Sequence, residues 1–245
     1  MNTTKLYHCT SFESLKSILL SGEFWPSYCL EKAEYLEKTY EFAFVMVCFA
    51  DLMNVEVKLH LRKFQKDSYI QMSKTWARQN GLSNVIYYDK NSALTATFKH
   101  LTQEIINQEK ANKKEMLNQT RYLSLLMAYF KQYEGFYWND NKGDWAKTET
   151  QFYTEREWRY IPIVQNYEAY YLDPIQFKNK NIRKQKQDQL IKRNYTLKFN
   201  WNDIETIGVT SWSNKIKIVH LLTQKHSIRF AEAWKKIKVM QKWHF

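Results

Sequence analysis

Only five glycines and three prolines punctuate the 245 residues. So few residues able to take positive φ or to lock a turn exclude collagen-like and Gly-rich architectures, and they argue against propellers and turn-dense β-sandwiches. Cysteine is equally scarce. Cys9, Cys29 and Cys48 are odd in number, widely spaced and without a Cys-x-x-Cys pair. Neither a disulfide framework nor a cysteine-based zinc site is expected, and a reducing compartment fits. Acidic residues fall short as well: 25 Asp plus Glu stand against 37 Lys plus Arg, a net charge of +12. Long apolar runs are missing. The longest, residues 42–50, is far below the roughly 18 residues of a membrane span, and no apolar signal segment follows Met1. The expectation is a soluble cytoplasmic protein with no membrane role.

What is present is apolar and aromatic. Hydrophobic residues make up 44% and aromatics 16% of the chain, enough to build a core and too much for a disordered chain. The positive charge suits a polyanionic partner, such as nucleic acid, a nucleotide or an acidic protein; the plainer alternative is a lysine-rich solvated surface. No internal repeat and no Gly-, Pro- or Ser-rich linker interrupts the chain, so residues 1–245 read as one domain.

The periodicities alternate between the two regular structures. Residues 5–9 read as a strand. Thr10-Ser11-Phe12-Glu13 has capping-box spacing with Thr10 as the cap, Phe12, Leu15, Ile18 and Leu19 repeat at helical spacing, and Gly22 occupies a helix-stop position. Residues 44–49 read as a buried strand, 69–74 and 84–88 as further strands, and 75–80 as a short helix. From 92 to 132 the pattern is helical, with one stripe of Leu94, Phe98, Leu101, Ile105 and Ile106 and another of Leu117, Leu123, Leu126, Tyr129 and Phe130. Residues 134–150 read as a loop, 152–164 as a strand, and 178–193 as a solvated helix or loop. Residues 196–199 and 206–210 are strand-like. Residues 228–240 read as a final helix with Ala231, Trp234 and Ile237 inward. The fold class is α+β, one domain with a mixed sheet and flanking helices.

Familiar catalytic signatures are missing. There is no GxGxxG, GxxxxGK[ST], HExxH or GxSxG, and no two of the six histidines lie at a metal-ligand spacing. Two segments carry the remaining candidate chemistry. In Leu6-Tyr7-His8-Cys9-Thr10-Ser11, strand alternation puts His8 and Thr10 on one face. An imidazole and a hydroxyl there suit a ribose; the alternative is a core histidine beside a helix cap. In Tyr153-Thr154-Glu155-Arg156-Glu157-Trp158-Arg159-Tyr160, alternation puts Glu155, Glu157 and Arg159 on one face. Two carboxylates so placed repel unless a cation lies between them. Such a pair suits chemistry at a sugar carbon, and a salt-bridge ladder with Arg159 is the alternative.

Together these segments resemble the layout of ADP-ribosyltransferases. That resemblance implies an ADP-ribosyltransferase-like fold, NAD bound by His8 and Thr10 with Tyr69 as a further cofactor contact, Glu157 as the catalytic carboxylate and Glu155 orienting the acceptor. A second resemblance covers more of the chain. Tyr7-His8-Cys9-Thr10-Ser11-Phe12, Phe24-Trp25-Pro26-Ser27-Tyr28-Cys29-Leu30-Glu31, Met46-Val47-Cys48-Phe49-Ala50-Asp51, Tyr69-Ile70-Gln71-Met72-Ser73-Lys74-Thr75-Trp76, Tyr129-Phe130-Lys131-Gln132-Tyr133-Glu134-Gly135 and residues 152–162 occur in an order that resembles the AbiGi family of phage abortive-infection proteins. This implies a role in phage defence and a partner, the nucleotidyltransferase-like toxin AbiGii, whose antitoxin AbiGi is labelled. Two functions stand side by side: an enzyme moving ADP-ribose from NAD to a nucleic acid or protein, and a non-catalytic antitoxin that binds a toxin or nucleic acid.

The basic stretch 178–193 holds seven Lys or Arg and one acid. Lys178, Lys180, Arg183, Lys184 and Lys186 are the candidate phosphate contacts, and the tail from Trp234 through Trp243 adds rings and lysines. If nucleic acid is bound here, affinity falls steeply with salt through counterion release. Alanine at Arg183, Lys184 and Lys186 should then flatten a plot of log affinity against log salt. An unchanged slope would mark the segment as a solvated face.

Overall fold

The computed structural model describes residues 5–35, 38–111, 116–164 and 170–240. They fall into two compact units. Met1–Trp25, Cys48–Leu82 and Leu197–Phe245 form the first, and Pro26–Val47 with Ser83–Thr196 the second. The Ile106, Leu117 and Trp243 side chains lie outside what is described, as do residues 112–115.

The first unit is built on a mixed sheet. Its strands run in the order Ile237–Val239, Ile204–Val209, Ser68–Met72, Lys5–Thr10 and the last residues of Lys38–Leu52. Ile204–Val209 and Ile237–Val239 pair in parallel, which demands a crossover. The helices Trp212–His226 and Phe230–Lys236 supply it. The last helix expected over 228–240 therefore ends at Lys236, and 237–239 becomes a strand. Ile237 and Val239 are β-branched, and pairing with Ile207 and Val209 overrides the helical reading. Ile237 is buried as expected, but Ala233 is the buried alanine and Ala231 is exposed.

The first helix, Phe12–Ser21, buries Phe12, Leu15, Ile18 and Leu19 and stops at Gly22 with φ 71°. Its cap is Ser11, whose hydroxyl accepts the Ser14 N–H at 3.2 Å. Thr10 is not free for that task, because it pairs with Ser68 as the last residue of its strand.

Strand alternation sorts the core of this unit onto two faces. Tyr7, Ala50 and Leu52 pack on Val57 and Leu61 of the helix Asn54–Lys63, with Cys9 and Tyr69 beside them. On the other face the His8 ring meets Phe24 at 5.0 Å and Phe49 at 5.4 Å, and Trp76 joins the same group.

The second unit holds a long hairpin. Ser27–Tyr35 pairs antiparallel with the first part of Lys38–Leu52, and Tyr171–Leu172 adds to the same strand. The single strand expected over 84–88 is two. Ser83–Asn84 pairs with Trp158 and Arg159, while Ile86–Tyr88 pairs in parallel with Phe130–Gln132. The helices Ala93–Ala111 and Met116–Met127 make that parallel crossover. Phe98 and Leu123 close over Tyr88 and Phe130, with Ile105 and Met127 at the edge. Leu94, Leu101 and Leu126, read as part of the inward stripes, are exposed. The stretch read as a loop over 134–150 carries two short ladders, Glu134–Gly135 with Thr150–Gln151 and Trp138–Asn139 with Asp144–Trp145. The basic stretch is a helix, Lys180–Lys192, capped by the Asn179 side chain and burying Leu190 alone.

Gly208 shows how tightly the first sheet is built. It stands opposite Tyr69, and a Cβ there would lie 2.0 Å from the Tyr69 ring. Gly208→Ala should destabilise the protein by about 1–3 kcal/mol through overpacking, read as a lower urea midpoint. Combined with Tyr69→Ala, it should cost less than the sum of the two single changes, because the ring it strikes is gone.

Candidate functional site: a buried ion cluster

The Glu-x-Glu segment is not a continuous strand. Phe152–Glu155 forms a 3-10 turn, Arg156 takes a left-handed conformation at φ 45°, and the strand begins only at Glu157. Both carboxylates are buried. Glu155 is 6% exposed and Glu157 5%. The reversal at Arg156 lets both reach one cation although only Glu157 lies in a strand. That cation is Lys131, whose ammonium donates to Glu157 at 2.7 Å and to Glu155 at 3.3 Å. It lies 3.9 Å from Glu31 and 4.5 Å from the centre of the Phe152 ring.

Arg159 completes the cluster. Its side chain is fully buried. Nε donates to Glu157 Oε1 at 2.9 Å and Nη2 to Glu157 Oε2 at 3.2 Å. Both Nη atoms donate to Glu31, and Nη1 also donates to the Ala128 carbonyl. A guanidinium has five N–H donors, and five bonds use them. The Glu157–Arg159 pairing is the one strand alternation implied. Three carboxyl groups thus surround two cations. Burial alone would push Lys131 down, but Glu155, Glu157 and Glu31 outweigh it and hold the ammonium well above the usual lysine range. The Tyr87 hydroxyl accepts the Glu157 backbone N–H at 2.8 Å, and burial, helped by Glu157, raises its pKa.

His8, Thr10 and Tyr69 belong to the first unit, and Glu155 and Glu157 to the second. Within the first unit the three are not brought together. Tyr69 is the cross-strand partner of Cys9, and partners share a face. Its ring therefore stands edge-on to Tyr7 at 5.1 Å, on the face away from His8. The His8 ring is half-buried, and its Nδ1 lies 2.9 Å from the Cys48 carbonyl. A carbonyl only accepts, so Nδ1 carries the proton. Thr10 is 8% exposed.

The basic candidates lie in the second unit. Lys178, Lys180 and Lys184 are exposed, and Lys186 is half-buried. Lys178 sits 5.5 Å over the Trp138 ring. Arg183 pairs with Asp140 at 2.9 Å and lies 4.4 Å over Phe177, so its charge is in part already matched. Among the described residues no group of three His, Cys, Asp or Glu could hold a metal, and no helix is long and apolar enough to cross a membrane.

Lys131 and Glu31 were not singled out in the sequence. Lys131 stands between Phe130 and Gln132, both buried, and the one sequence signal near it is the run Ala128-Tyr129-Phe130 that it follows. Glu31 carries no local signal, since its partner Arg159 is 128 positions away.

His8 gives a pH dependence. Burial pushes its pKa down to about 4, opposed by the bond to Cys48 and aided by Lys66. An unfolded histidine titrates near ~6.5, so the unfolded chain binds more protons between those two values. Stability should therefore fall as pH drops from about 6.5 toward 4. In urea titrations across that window, His8→Gln should show a shallower loss than wild type; equal slopes would remove His8 as the cause.

Two comparisons bear on this chain. The family described as "Putative abortive phage resistance protein AbiGi, antitoxin" matches residues 22–210, a span that contains all the charged residues of the cluster. The abortive phage resistance protein AbiGi of Lactococcus lactis subsp. cremoris is 23% identical over 222 residues, which cover 82% of this chain and 88% of that protein. No solved structure matches. The family match spans well over half of the sequence, and the chain belongs to the AbiGi family of abortive phage resistance proteins.

Proposed function

We propose that this protein serves phage defence as a non-catalytic antitoxin that holds a toxin partner by contact, and does not transfer ADP-ribose from NAD. The observation that carries this reading is the state of Glu157. A carboxylate that steadies an oxocarbenium-like ribose must present an oxygen to the sugar. Here Oε1 is taken by Arg159 and Oε2 by Arg159 and Lys131, with the side chain buried. The arrangement supports a structural carboxylate. His8 supports the same reading, since its Nδ1 proton faces a backbone carbonyl. The antitoxin description of the family supplies the partner class. A nucleotidyltransferase-like toxin of the AbiGii type is the partner proposed, and a net charge of +12 suits an acidic face on it.

The test is co-expression and co-purification with such a toxin, alongside NAD turnover by the purified protein. Wild type should co-purify with the toxin and relieve its growth inhibition, and it should release no nicotinamide above background. Glu157→Gln removes the charge that Lys131 and Arg159 share and should destabilise the fold by about 1–3 kcal/mol. Its protection of cells should drop only as far as its folded fraction drops. Transfer of labelled ADP-ribose by wild type, abolished in Glu157→Gln at unchanged stability, would replace the antitoxin reading with the enzymatic one.

A further inference from the structure

The C-terminal part of the first unit carries an exposed aromatic stack with no role in the cluster above. Three rings lie nearly parallel. Phe230 and Trp234 are 5.5 Å apart at 18°, and Trp234 and Trp212 are 6.0 Å apart at 28°. The two outer rings, Trp212 and Phe230, are each 61% exposed. Leaving two large rings in water forgoes the burial that usually places such side chains inside. The Lys215 ammonium sits 4.1 Å over Trp234 and 5.4 Å from Trp212.

The charge along this stretch is mostly positive. Residues 212–240 hold seven Lys or Arg and one acid, Glu232. Glu232 is already engaged, accepting the Trp201 indole N–H. The helix Trp212–His226 has no acidic residue in its first turn, so no side chain there offsets its positive end. Lys217, Lys235 and Lys238 are exposed, and Lys238 is close enough to Lys215 to lower its pKa, after desolvation as the main cause. A hydrophobic protein contact would be depleted of lysine at its centre. Ring faces interleaved with lysines instead match a ligand with both flat π surfaces and regularly spaced negative charge. A duplex hides its base faces, whereas a single strand offers them.

We propose that the Trp212–Trp234–Phe230 stack is a binding platform for single-stranded nucleic acid. A base extends the stack on the outer face of Trp212 or Phe230, while phosphates meet Lys235 and Lys238. The site uses residues of the first unit alone and does not depend on the antitoxin reading.

The experiment titrates the full-length protein with fluorescein-labelled 12-nucleotide oligo(dT), oligo(U) and a mixed-sequence duplex, read by anisotropy and tryptophan quenching. Both single strands should bind with a steep salt dependence and quench tryptophan emission. The ratio of oligo(U) to oligo(dT) affinity separates RNA from DNA as the strand preferred. Trp212→Ala should weaken binding roughly 5- to 150-fold, and Trp212→Phe should recover most of it. Lys235→Ala with Lys238→Ala should reduce the salt slope by about 1.4. Because Trp212 is exposed, thermal melts should show Trp212→Ala folded, and Phe230→Ala gives a second variant of the same stack. Binding to single strands that is unaffected by both ring variants, or no binding by wild type, would overturn the proposal. So would a duplex that binds as tightly as the single strands. Loss of toxin co-purification in Trp212→Ala with no effect on oligonucleotides would overturn it in favour of a protein contact.

Discussion

The second unit depends on one guanidinium. Arg159 is fully buried, and each of its donors has an acceptor in Glu157, Glu31 or the Ala128 carbonyl. A buried cation is tolerated only when its hydrogen bonds and charge are both answered. The answer here joins three parts of the chain: the Ser27–Tyr35 strand through Glu31, the end of the Met116–Met127 helix through Ala128, and the Glu157–Tyr160 strand itself. Removing one carboxylate would leave a buried charge exposed to its neighbours, which typically costs several times a surface ion pair. The arrangement specifies a geometry more than it adds stability.

That hub also bears on the choice between chemistries. A pair of carboxylates two residues apart is an ambiguous sign, compatible with sugar chemistry or with structural charge pairing. Lys131 and Arg159 engage both oxygens of Glu157, which is the ground for the antitoxin reading proposed above; on that reading the working parts are surfaces. The first unit shows a similar economy: burial lowers the His8 pKa, and the ring ties its strand to the Cys48 carbonyl.

Local physics was legible in the sequence, and long-range pairing was not. The first helix, its buried residues and its Gly22 stop followed from spacing alone, and the Glu157–Arg159 contact followed from strand alternation. The solvated character of the basic stretch followed from its lack of apolar period, which left helix and loop both open. The helix Asn54–Lys63 escaped because Val55, Val57, Leu59 and Leu61 alternate as a strand would. It forms anyway, with the Glu56 carboxylate accepting the Met53 N–H at 2.7 Å, and it leaves Val55 and Leu59 exposed. The last strand escaped because three residues carry too little pattern to overrule a helix until Ile207–Val209 is beside them. In the site, the Lys131–Glu157 and Glu31–Arg159 contacts span 26 and 128 positions, beyond any local periodicity.

The way the two units share the chain has a consequence for biosynthesis. Each is assembled from separated segments, and the boundaries fall at Trp25, Val47, Leu82 and Thr196. The Ser68–Met72 strand needs Ile204–Val209 on one side, so it leaves the ribosome with a bare edge and keeps it until Ile204–Val209 has been made. Contacts of such sequence separation are slow to form, because loop closure precedes the gain from pairing. A nascent chain of this design presents unpaired β edge and apolar surface for most of its synthesis, the condition under which chaperones engage and misassociation begins. Premature termination after the Lys180–Lys192 helix would yield a chain in which the first unit lacks both Ile204–Val209 and Ile237–Val239.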